Sequence, residues 1–263
     1  GSFSLAKLLI GQADVTTVMF FRYLAGPLYL IPFFLIKRKA LKMDKPGTLV
    51  IRTLCGLCAM FCLFKAFQLG HIGKSMLIFE ASVAWTLLYG FIFKNERPHR
   101  FSLLVMPLLC LGLWAILTPE SSGFFRLIGP AEGYAFLASL FNMGVYVSLR
   151  RVRETNDNTT VVLLTYFFSM LAVCVPASQD IGALNFNVFL LLILMCSVGF
   201  LGQLCMSYGF KFNQAGISSL MMLSGVPFFY LSGFVFFNET ISLLGAFGVV
   251  CVLLSLSIIS KFR

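Results

Sequence analysis

Apolar stretches of spanning length alternate with short polar connections along the chain, at about 15–36, 48–69, 74–93, 100–118, 128–149, 158–177, 187–209, 215–237 and 241–260. A helix rises ~1.5 Å per residue, so ~20 apolar residues cross a hydrocarbon layer ~30 Å thick. The pattern predicts nine spanning helices, and residues 1–10, GSFSLAKLLI, supply about half of another. Taken alone, that segment reads equally as an amphipathic surface helix. Each run is apolar throughout, without the period-two polarity of a membrane barrel strand. The N-terminal residues lack the basic stretch and small-residue cleavage site of a secretory signal.

Composition agrees. Of 263 residues, 59% are hydrophobic and 11% charged, against ~45–50% and ~25% in ordinary soluble domains. This excludes a soluble globular enzyme, and at this length no separate aqueous domain is expected. The net charge of +10 does not imply a nucleic-acid partner, because the basic residues cluster between apolar runs. Fourteen of the 20 lie in one alternate set of connections or at the C-terminus: Lys37 to Lys45, Lys94 to Arg100, Arg150 to Arg153, Lys211, Lys261 and Arg263. The opposite set has only Lys7, Lys74 and Arg126. Basic loops stay on the cytoplasmic side, which predicts a multi-pass inner-membrane protein with a cytoplasmic C-terminus.

Sliding the sequence over itself by 143 residues aligns residues 67–96 with 210–239 without a gap, and eleven of thirty positions are identical. The same offset pairs Asp14, Thr16, Thr17, Val18 and Tyr23 with Asp157, Thr159, Thr160, Val161 and Tyr166. Polar strings repeated at one offset indicate an internal duplication. Five spans per copy is an odd number, so the copies enter the membrane from opposite sides. The expected architecture is an all-α ten-helix inverted repeat (5+5), with repeats at 1–118 and 119–263, as in many secondary transporters. The offset places Lys7 on Arg150, at the far end of a complete helix, so the first span is expected to lack about 15 residues of its beginning.

The residues that carry a resemblance are GSFSLAK, VMFFRY with Arg22, the endings FKNE (93–96) and FFNE (236–239), the small-residue turn between spans 3 and 4, and Pro227 in span 9. Across essentially the whole chain they resemble the drug/metabolite transporter superfamily, in particular its EamA group. That resemblance implies a ten-helix carrier, no enzyme, with spans 3, 4, 8 and 9 lining most of a central cavity. Ala84 stands where the second half has Pro227, whereas the family often has proline in both, so span 4 is expected to bend less than span 9.

Ionisable side chains at membrane depth cost at least ~2.5–3.5 kcal/mol and usually face a cavity or a partner. Glu80 and Lys65 stand at similar depth on either side of the span 3–4 turn. They are expected either to serve substrate and coupling proton or to form a static buried pair. Arg22 is expected on the substrate path or paired with Asp14. Trp85, Tyr89, Asn142, Tyr146, Gln203, Tyr208 and Tyr230 are the polar and aromatic candidates for the cavity wall, although aromatic residues in membranes also serve as packing and anchors. Asn95, Glu96, Asn238, Glu239 and Pro227 are read as structural, since the Asn-Glu pair recurs at equivalent helix ends.

Cys55, Cys58 and Cys62 include one C-x-x-C, but His71 and His99 do not complete a zinc set. These thiols read as packing residues, and no metal or cofactor is expected. No nucleotide-binding or hydrolase motif occurs. The expected partners are a small-molecule substrate, protons and membrane lipids, with no nucleic acid, and the protein acts as a monomer or homodimer. The expected function is secondary transport of an amino acid, amine or drug-like compound, driven by protons or exchange. An S-adenosylmethionine-type or nucleoside-type substrate, or a non-transporting scaffold or sensor, are the alternatives.

Overall fold

A computed structural model of the chain describes residues 2–10, 12–38, 43–70, 72–93, 107–108, 111–112, 129–178, 185–212, 215–223, 225 and 243–261. The principal described elements are α1 (Ser2–Ile10), α2 (Val15–Lys37), α3 (Pro46–Leu69), α4 (Ile72–Glu80), α5 (Ser82–Phe93), α6 (Pro130–Thr155), α7 (Asn158–Ala177), α8 (Phe186–Gly209), α9 (Ala215–Met222) and α10 (Leu243–Lys261). Among them α2, α3, α7 and α8 are long and apolar enough to cross a membrane. The protein is an all-α integral membrane protein.

The repeated Asp-x-Thr string starts helices. Asp14 is the N-cap of α2, and its carboxylate accepts the Thr16 backbone N–H at 3.1 Å and the Thr16 hydroxyl at 2.7 Å. Asp157 precedes α7 and accepts the Thr159 hydroxyl at 3.4 Å. Each carboxylate sits at a helix N-terminus, where free N–H groups and the helix dipole favour a negative charge. The Thr16 hydroxyl, more than any other group, holds the Asp14 carboxyl below its ordinary range. Its stabilising contribution is therefore present above the unfolded-chain pKa and lost as pH falls through the lowered value. Asp14→Ala should cost ~1 kcal/mol, read as a fall of about 2–4 °C in the unfolding temperature of detergent-solubilised protein. An unchanged midpoint would show that the cap contributes nothing.

The helices pack in pairs related by the 143-residue offset. α3 lies against α6 and α1 against α8; α2 lies against α8 and α3 against α7. A further close pair, α2 with α7, maps onto itself. There Tyr23 and Tyr166 meet edge to face, with ring centres 5.6 Å apart. The two helices approach closely at Gly26, where an added Cβ would stand 2.3 Å from the Tyr166 Cβ. Gly144 of α6 similarly admits the Cys55 sulfur of α3, which would lie 2.9 Å from a Cβ at that position.

Two helix C-termini receive basic caps at equivalent positions. The Lys7 ammonium donates to the carbonyls of Phe67, at 2.5 Å, and Gly70, at 3.0 Å, at the end of α3. The Arg150 guanidinium donates to the carbonyl of Phe210, at 3.3 Å, and to that of Lys211 beyond α8. The last carbonyls of a helix have no intrahelical donor, and a cation there satisfies them. The structure also extends the span expected at 128–149: α6 continues to Thr155, so Arg150, Arg151 and Arg153 are helical rather than loop residues. Arg153 is 2% exposed and donates to the Ser207 carbonyl at 2.9 Å. Carbonyls and a neighbouring helix end thus stabilise the extra turn despite its charges.

Span 4 is not one continuous helix, and the comparison with span 9 at Pro227 lies outside the described residues. Span 4 is broken at Ala81 into α4 and α5, although neither glycine nor proline stands there. The Ala81 N–H bonds to Ile78, three residues back, and the regular ladder resumes with Trp85 bonding to Ala81. Such a tightened turn interrupts a helix without proline. α9 ends one residue short of the matching position, where Leu223 bonds back to Leu220.

Candidate functional site

The break in span 4 borders a cavity of about 250 Å³. α2 and α3 are consecutive and each long enough to cross, so they start from opposite membrane faces. Arg22 is seven residues into α2 and Arg52 six residues into α3, or ~10 and ~9 Å from their respective faces. Both side chains line the cavity, as does Glu80 at the end of α4. They are 8%, 5% and 9% exposed. The Arg22 Nη1, Arg52 Nε and Glu80 Oε2 atoms are buried without a hydrogen-bond partner. Among the described residues no salt bridge joins these three side chains.

Local packing fixes each group. The Arg22 guanidinium lies over the Phe3 ring, 5.2 Å from its centre, an attractive cation–π geometry. Arg52 folds across Gly56, one turn along α3, where an added Cβ would meet Nη1 at 2.8 Å. The Tyr23 hydroxyl donates to the Gly56 carbonyl at 3.4 Å. Beyond the break, the Asn142 amide donates to the Ser82 hydroxyl at 3.0 Å, tying α6 to the first residue of α5. Tyr146 stacks on Phe210, with ring centres 5.3 Å apart, and its phenol shares the electrostatic surroundings of Glu80, Asn142 and Ser82. The Thr165 and Ser169 hydroxyls, on α7, also line the cavity and are buried without partners.

Of the residues expected at the site, Arg22, Glu80, Asn142, Tyr146 and Gln203 come together on this cavity. Lys65 does not. Its ammonium donates to Gln68 at 2.9 Å and acts on Asp14 at the α1–α2 turn, so the static pair with Glu80, one of the two expected arrangements, is not formed, and Glu80 lines the cavity without it. Trp85 packs edge to face on Phe136, with ring centres 6.1 Å apart. The Tyr89 hydroxyl accepts from Arg151 at 2.8 Å, and Tyr208 is 58% exposed beside Phe212. These three aromatics do not line the cavity among the described residues. Tyr230, Pro227, Asn95, Glu96, Asn238 and Glu239 lie outside the described residues.

Arg52 is the residue that sequence reasoning missed. It sits near the basic end of an apolar run and carries no motif, yet it is charged and inside a span, the same signal that singled out Glu80. Thr165, the 143-offset counterpart of Arg22, and Tyr166 were equally within reach.

Comparisons with known proteins agree with this architecture. The pseudopaline exporter CntI of Pseudomonas aeruginosa strain UCBPP-PA14 is 21% identical over all of this chain and 93% of its own length. An uncharacterized transporter of Helicobacter pylori strain ATCC 700392 / 26695 is 24% identical over 90% of this chain and 82% of its own length. A solved crystal structure of a protein matches 99% of this chain and 93% of that one, with a TM-score of 0.79 at 14% identity, which shows a shared fold. The family match covers residues 1–118 and 130–261, and the chain therefore belongs to the EamA-like transporter family.

Proposed function

We propose that the protein is a secondary active transporter that carries a small organic metabolite of the amino-acid or amine type across the cytoplasmic membrane by alternating access. The carrying observation is the burial of Arg22, Arg52 and Glu80 around one cavity, each with one side-chain polar atom that lacks a hydrogen-bond partner. A static fold has no use for three such charges, because an unpaired buried charge destabilises it. A ligand that brings matching groups removes the penalty each time it binds. The helix pairs related by the 143-residue offset support a ten-helix inverted repeat, with 1–118 and 119–263 as its halves and the C-terminus cytoplasmic. Rocking of such halves would expose the cavity to each side in turn, driven by protons or by exchange. The name of the relative in Pseudomonas aeruginosa, an exporter, favours outward movement.

Counterflow in proteoliposomes tests the reading. Vesicles preloaded with one member of a panel of amino acids, amines and nucleosides should accumulate the labelled form of the same compound, for at least one member, faster than protein-free vesicles. Protein-containing vesicles that never exceed the protein-free control for any compound would sink the carrier in favour of a scaffold or sensor.

A further inference from the structure

We infer that the cavity selects amino acids carrying two carboxylates, with one carboxylate on Arg22, the other on Arg52 and the ammonium on Glu80. The inference rests on the reading of the cavity as a transport site and names its substrate class. Charge balance leads to it. Among the described residues the buried wall holds two guanidinium groups and one carboxylate, none paired with another, so their ionised sum is one positive charge in excess. A ligand with one amine and one carboxylate leaves that excess in place, and a diamine enlarges it. An amine with two carboxylates cancels it and supplies an opposite charge to every wall group.

Geometry agrees with the count. A guanidinium is a planar fork of N–H donors that fits a carboxylate in two parallel bonds, and both arginines have a buried N–H donor atom free for that use. They enter from opposite membrane faces, one from α2 and one from α3, which suits a ligand bearing its acids at separated ends. The Thr165 and Ser169 hydroxyls, also partnerless, add donors on the α7 side. A volume of about 250 Å³ leaves room for a ligand the size of a short amino diacid.

Titration calorimetry on the full chain in lipid nanodiscs tests the assignment, with four probes: L-glutamate, L-glutamine, glutarate and putrescine. L-Glutamate should bind at least about tenfold more tightly than the other three, because each lacks a group that a buried partner requires. Arg52→Gln should erase the preference for glutamate over glutamine, and Glu80→Gln that for glutamate over glutarate. Arg52→Lys keeps the charge without the fork and should retain a weakened preference, which separates lost recognition from lost folding. Absent glutamate binding, a preference for putrescine or glutamine, or an Arg52→Gln protein that still favours glutamate would each overturn the inference. Counterflow with the same probes keeps the two readings apart. Putrescine exchange without glutamate binding defeats the diacid assignment and leaves the carrier standing; glutamate binding with no exchange of any compound does the reverse.

Discussion

Glu80→Gln is expected to reduce transport by about ten- to a hundredfold while leaving the protein folded and at least as stable to heat. The carboxylate is 9% exposed, ends α4 at the break, and has one oxygen without a partner. Holding it ionised at that depth costs ~2.5–3.5 kcal/mol on insertion scales, a cost the amide does not carry. What the amide gives up is a charged bond to an ammonium or a coupling proton, worth ~1.5–3 kcal/mol, and each ~1.4 kcal/mol is a factor of ten. Activity and stability should therefore move in different directions. The measurement is initial exchange rate and unfolding temperature at matched protein level. A variant with the parent rate and the parent response to an imposed pH gradient would remove Glu80 from both substrate binding and coupling.

The largest effect on the fold is expected at Gly26. An alanine Cβ there would stand 2.3 Å from the Tyr166 Cβ and 2.7 Å from its Cγ, the root of a ring that is 3% exposed and closed in by Tyr23 and Phe200. The root of a side chain cannot swing away, so α2 and α7 must separate. Overpacking of this kind costs ~1–3 kcal/mol, or a loss of several degrees in unfolding temperature. Gly133→Ala is the matched control: no atom lies within 4 Å of its added Cβ, and alanine is the better helix former. If both variants melt with the parent protein, the α2–α7 contact is looser than its geometry indicates.

Much of this fold was legible because a membrane simplifies the code. Apolar length alone located α2, α3, α7 and α8, and the Asp-x-Thr repeat marked two helix starts that the Asp14 and Asp157 caps now explain. Depth could be counted from the 1.5 Å rise, and the count predicts Lys65 level with Glu80. Rise carries no information about which side of a helix faces which neighbour, and there the pairing failed. The same ambiguity separates Tyr146 and Gln203, on the cavity, from Trp85, Tyr89 and Tyr208, which are turned away. The break at Ala81 was hidden for another reason. No glycine or proline announces it, and the hydrogen bond that ties Ser82 to Asn142 joins residues sixty positions apart. Arg52 was legible in principle; its place near a basic helix end disguised it.

The contact between Tyr23 and Tyr166 has a practical consequence. Residues 143 positions apart that touch each other stand where exchanging the two halves of the chain changes least, as the hub of a wheel barely moves while the rim turns. Under the proposed rocking of the halves, a pair of spectroscopic labels placed there would record almost the same separation throughout. Under the same proposal, labels at the capped ends, beside Lys7 and Arg150, are the comparison pair, expected to report the larger change in separation.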